Sequence, residues 1–133
     1  MKTILLLLLT ALTAPAQLSV TVLPVKITGQ KAIVPLAMKN NFVEKVESAR
    51  AVVFLLDEQG KMVGQSTKWA IGGSEDKPGL KAGATNAFNF VITADKPLTT
   101  TNLTAKVNFN RLVLEGGKLA DISQNVHVES VTK

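Results

Sequence analysis

The run Ala51-Val52-Val53-Phe54-Leu55-Leu56, stopped by Asp57-Glu58-Gln59-Gly60 and followed at once by Met62-Val63, constrains the fold more than any other stretch of this 133-residue chain. It is too short for a buried helix, and its β-branched and aromatic content favours an extended backbone. A polar turn containing glycine then sends the chain back. The stretch therefore reads as the central hairpin of a β-sheet.

Around that hairpin the chain alternates with a period of two residues. Leu18 to Thr28 places Val20 and Val22, then Val25 and Ile27, between polar neighbours, and Leu23-Pro24 breaks the phase. Proline donates no ladder hydrogen bond, so this segment is expected to be a kinked edge strand. Ala32 to Asn40 puts Val34, Leu36 and Met38 on one face and Ile33, Pro35, Ala37 and Lys39 on the other. The returning strand runs from Lys61 to about Ile71 and carries the chain's single tryptophan, Trp69. Gly72 to Gly79 is polar, rich in glycine and must be a loop. Asn86 to Thr93 follows, with Phe88, Phe90 and Ile92 expected to face inward.

The last two strands flank Gly116-Gly117, which fits a tight primed turn. With Glu115 opposite Lys118, Ala105 faces Val128, Val107 faces Val126 and Phe109 faces Gln124 on a core face. Lys106 then faces His127, Asn108 faces Asn125 and Asn110 faces Ser123 on a polar outer face. About seven antiparallel strands with regular turn signals and no useful helical period predict an all-β, immunoglobulin-like two-sheet sandwich.

The first residues stand apart from this domain. Lys2 precedes an apolar stretch from Ile4 to Leu12, and Ala14-Pro15-Ala16 supplies the small residues a signal peptidase reads. Residues 1–16 are expected to be a signal peptide cleaved before Gln17, with residues 17–133 as one sandwich domain. The apolar stretch is too short to span a bilayer, and no membrane span is expected after cleavage. The chain has no cysteine, hence no disulfide, no thiolate ligand or nucleophile, and no lipoprotein attachment point. A periplasmic or fully secreted location follows as the expectation.

Lys and Arg outnumber Asp and Glu 15 to 10, and one of the 15, Lys2, leaves with the leader. The others are scattered singly, as at Lys26, Lys31, Lys39, Lys45, Arg50, Lys61 and Lys68, and there is no tyrosine to stack on bases. Nucleic acid is not an expected partner. Attraction to an anionic envelope surface fits the charge.

Ala32 to Ile92 resembles a known family. A strand closes on Asn40, a hydrophobic strand Val53-Phe54-Leu55-Leu56-Asp57 turns through Gly60-Lys61, and Leu80-Lys81-Ala82-Gly83 precedes Phe88-Asn89-Phe90. This order and spacing is similar to small extracytoplasmic bacterial domains of the FxLYD type. Val53 stands where that family carries Phe, Leu56 where it carries Tyr, and Lys81-Ala82 replace the usual proline before glycine. The resemblance implies an immunoglobulin-like fold and an interaction or envelope role.

Catalytic chemistry finds little support. His127 is the only histidine, so a histidine-based general base or triad would have to use it. One histidine without cysteine does not make a zinc site. Glu75-Asp76 are adjacent carboxylates, but their spacing matches no calcium loop. Asp57-Glu58 sit on a tight turn, where neighbours point apart. Gly116-Gly117-Lys118 lacks the following helix that would bind phosphate. No catalytic residue, metal ligand or cofactor is assigned, and the chain is expected not to be an enzyme.

Two surfaces merit a functional reading. Trp69 beside the glycine-rich loop is either core or a stacking residue for a sugar ring or a partner. Lys106, Asn108, Asn110, Asn125 and His127 would form a flat array of donors and acceptors. In addition, Ala51 to Leu56 is apolar on both faces although a sandwich buries one. The expected function is an exported, non-catalytic module that binds another envelope protein or a second copy of itself. The alternative is a carbohydrate- or envelope-polymer-binding domain using Trp69 and the asparagine face.

Overall fold

The computed structural model describes residues 17–74, 77–94, 96–98 and 102–131, so the expected signal peptide and the Glu75-Asp76 pair lie outside the described residues. The strands are β1 (Leu18–Val22), β2 (Lys26–Thr28), β3 (Lys31–Asn40), β4 (Val46–Leu56), β5 (Met62–Ile71), β6 (Thr85–Thr93), β7 (Thr104–Leu114), β8 (Lys118–Leu119) and β9 (Val126–Ser130). A one-turn helix, α1 (Ile122–Asn125), precedes β9. The expected all-β sandwich is observed, with nine strands among the described residues rather than about seven.

One sheet is built on β3. β6 pairs with it along one side, and β2 and then β1 pair along the other. β9 joins this sheet beside β1, and it does so in parallel. The second sheet has the order β5-β4-β7-β8, all antiparallel. Alternation along each strand sends one set of side chains between the sheets. Leu18, Val20, Val34, Leu36, Phe90 and Ile92 from one sheet meet Ala51, Val53, Leu55, Val107 and Leu112 from the other. The inward members of the central run are thus Ala51, Val53 and Leu55, all at 0% exposure, while Val52, Phe54 and Leu56 face outward and are half-buried.

The β4–β5 hairpin turns where expected. The Asp57 carboxylate accepts from the backbone N–H of Gln59 and of Lys61, both at 2.9 Å. Asp57 is therefore a turn brace, the role its position on the hairpin suggests.

The expected pairing of the last two strands is overturned. Leu114, not Glu115, faces Lys118, and β8 ends after Leu119. Two local features explain the departure. A register shift between Arg111 and Phe109 leaves Asn110 as the extra residue of β7, so the inward set changes from Ala105, Val107 and Phe109 to Leu112 and Leu114. A continuous period of two, the basis of the expected register, cannot show this change. Asp121 then caps α1, its carboxylate accepting from the Ser123 N–H at 3.0 Å. The turn lifts the chain off β7, and β9 settles against β1, with Val20 beside Val128 and Ser19 beside His127. Two further expectations fall with it. β1 lies between β3 and β9 and is not an edge strand, whereas β2, beyond the Leu23-Pro24 break, pairs with β3 alone among the described strands, and the strands are not all antiparallel. Gln124, expected on the core face, is exposed on α1.

Candidate functional site

Four of the six candidate residues share one surface, the outer face of the β5-β4-β7-β8 sheet. The register places them in rows across it. Trp69, Arg50 and Arg111 form one row, and Thr67, Val52 and Asn108 the next. Gln65, Phe54 and Lys106 follow, then Met62, Leu56 and Thr104. The face is thus an apolar stripe along β4, flanked on both sides mainly by polar side chains. Val52, Phe54 and Leu56 are half-buried, and Met62 is 51% exposed at the end of the stripe. Arg50, Lys106 and Arg111 are the charges in these rows, and no carboxylate stands in them.

Trp69 is neither core nor free. It is half-buried, and the Arg50 guanidinium lies 5.3 Å from its ring centroid. Arg50 Nε donates to Asn110 Oδ1 at 2.9 Å, which ties the β7 bulge to the tryptophan through one guanidinium. A planar cation between an aromatic ring and an amide oxygen satisfies both its π-contact and a donor. Gly73 lies against the indole: a Cβ there would come within 2.4 Å of the ring. Lys77 Nζ donates to the Trp69 backbone carbonyl at 2.6 Å and also sits 4.5 Å from the Phe88 ring centroid. The glycine-rich loop therefore holds Trp69 in place instead of leaving it to swing.

Asn125 and His127 do not join this face. The Asn125 side chain donates back to the Asp121 carbonyl at 2.8 Å, closing the α1 turn. His127 is on the outer side of β9, in the other sheet, with its Nε2 3.4 Å from Glu129 Oε1. The single asparagine face expected from the sequence is thus divided among the four-stranded sheet, α1 and β9, because β9 left β7. Arg50, Val52, Phe54 and Met62 belong to the face without being among the six candidates. The two-sided run from Ala51 to Leu56 is the sequence signal that points to the outward pair Val52 and Phe54.

The framework that presents this face is anchored by Asn40, the only fully buried polar residue among those described. Its Nδ2 donates to the carbonyls of Glu44 and Leu80, both at 2.9 Å, and its Oδ1 accepts from the Phe42 N–H at 2.8 Å. Its own backbone bonds Ala84 and Gly83. Asn40 and the turn at Leu80 to Gly83 are thus joined by hydrogen bonds. Among the described residues, no group of three or more His, Asp or Glu side chains is placed to hold a metal ion. No described helix is long and apolar enough to cross a membrane.

No family model matches this sequence, and no curated protein is similar to it by sequence. Solved structures do resemble it. The ApaA protein from Bordetella pertussis superposes with a TM-score of 0.54 at 16% identity, covering 81% of this chain and 88% of that one. IrmA from Escherichia coli gives a TM-score of 0.51 at 13% identity, covering 87% and 92%. At such identities the likeness is one of fold, and it spans nearly the whole of each protein.

Proposed function

We propose that this chain is an exported, non-catalytic interaction module that binds another envelope protein through the outer face of its four-stranded sheet. The observation that carries the reading is the Val52-Phe54-Leu56 stripe, rimmed by Arg50, Lys106 and Arg111 without a carboxylate. An aromatic centre inside a polar rim is the arrangement expected of a binding surface. The fitting partner presents an apolar side chain to Phe54 and acidic groups to the rim. Export is the role of residues 1–16, with Gln17 as the mature N-terminus.

Phe54→Glu tests this. The new carboxylate stands beside Lys106, so the half-buried site tolerates it, while it repels an acidic rim. Recovery of partners from an envelope extract is expected to fall by roughly thirtyfold, the effect of losing about 2 kcal/mol at a hot spot. Asn89→Glu, exposed on the other sheet, is the control and should leave recovery unchanged. Equal recovery with both variants, each with an unaltered circular dichroism spectrum, would remove the outer face from the account.

A further inference from the structure

The sandwich is closed along one seam and open along the other. On the closed seam, β5 turns Gly64, Ser66 and Lys68 towards the core side, and Lys68 Nζ donates to the Val91 carbonyl of β6 at 3.2 Å. An inward-pointing lysine is a common guard on an edge strand. The opposite seam has no such guard. β8 covers β7 only at Val113 and Leu114, and from Thr104 to Arg111 no described strand lies beyond β7. β9 likewise has no described partner on the side away from β1.

Between these two edges runs a trough. One part, of about 570 Å³, is lined by Val107, Phe109, Ile122, Val126 and Val128 among others. It shares Thr104, Ala105 and Ser130 with a second part of about 340 Å³ that reaches Leu23 and Val131. The core is thinnest here. Ala105, Val107 and Phe109 keep 6–8% exposure, whereas Ala51, Val53 and Leu55 beside them on β4 keep 0%. On the outer side of the same β7 edge stand Lys106 and Asn108, both exposed. Among the described residues neither side chain has an ion-pair or hydrogen-bond partner.

We propose that the open edge of β7 accepts an extended strand of another protein, apolar at alternate positions and acidic between them. The unpaired β7 backbone selects an extended chain, since only a strand presents N–H and C=O groups at the matching repeat. Alternate side chains of that strand point into the trough, where Ala105, Val107 and Val128 are apolar. The intervening side chains fall beside Lys106, where a carboxylate is favoured. This inference stands on the sheet edge and shares only Lys106 with the outer face.

The test is a short capped peptide alternating valine and glutamate, added to the purified protein. Hydrogen exchange is followed at those β7 amides between Thr104 and Asn110 that point away from β4, towards the open edge, and binding by anisotropy of a labelled copy. Saturable binding with about tenfold slower exchange confined to β7 and β9 is expected. Lys106→Glu should weaken binding by about five- to tenfold, the effect of reversing an exposed charge pair, and Asn89→Glu, on β6 of the other sheet, should leave it unchanged. No binding overturns the proposal, as does equal binding of a scrambled or N-methylated peptide. Protection of the same amides before peptide is added also overturns it. If that protection falls on dilution, the occupant is a second copy, and if it persists, the chain covers its own edge.

Discussion

Asn40→Leu is expected to cost about 3–5 kcal/mol, a large share of the roughly 5–15 kcal/mol that holds a domain of this size together. The leucine matches asparagine in bulk but supplies no donor or acceptor. The carbonyls of Leu80 and Glu44 and the N–H of Phe42 then lose their partner together. Asn40→Asp separates hydrogen bonding from shape. The carboxylate still accepts from Phe42 but faces two carbonyl oxygens, so burial and repulsion raise its folded-state pKa. With a raised acid pKa the folded state holds the proton longer than the unfolded one. The variant therefore loses stability relative to the parent as pH rises through the ordinary aspartate range, and the gap narrows towards acid. Urea unfolding of parent and variant across pH measures this. A gap under about 1 kcal/mol that ignores pH would show that Asn40 does not brace the loops.

Gly72→Ala carries the second large effect. Gly72 has φ +62°, and a Cβ there would lie 2.1 Å from the Glu47 carbonyl oxygen, a backbone atom with no freedom to move aside. Gly83 is the natural comparison, with φ +76° and nothing within 4 Å of where a Cβ would stand. Gly83→Ala should cost only the left-handed penalty of about 1–2 kcal/mol. Gly72→Ala should cost about 2–4 kcal/mol, because the loop must also lift from β4. Lifting it withdraws Gly73 from the indole, so Trp69 emission should shift to the red in the folded variant and remain unshifted in Gly83→Ala. Equal losses for the two variants, with unchanged emission, would show that the loop does not hold the tryptophan.

The fold was legible wherever one rule governs a whole strand. Val34, Leu36 and Met38 alternate without interruption, and Asp57 to Gly60 is a turn by composition alone, so β3 and the β4–β5 hairpin fall where the sequence places them. Legibility fails at Asn110. A single extra residue there reverses the faces of β7, and nothing in the side chains around it announces a bulge. The capping of α1 by Asp121 is a local signal, but its consequence, β9 crossing to the other sheet, is set by packing against β1. The candidate surface divides in the same way. Trp69 reaches the face through the local β4–β5 hairpin, and Lys106, Asn108 and Asn110 reach it through the β4–β7 pairing, which leaves the two-residue alternation of both strands in phase on that face. Asn125 and His127 depended on a hairpin of β7 with the last strand, which gives way to the long-range pairing of β9 with β1. Arg50 was hidden because an arginine at a strand's entry carries no sign of the ring and amide it bridges.

Photo-crosslinking in cells that make the protein tests the central claim most directly. A photoreactive residue is placed at Thr67, which stands beside Val52 on the outer face, or at Asn89 on the opposite sheet. The account predicts discrete protein adducts from position 67 and none from position 89. Adducts from position 89 alone, or none from position 67 in protein with an unaltered circular dichroism spectrum, would contradict it.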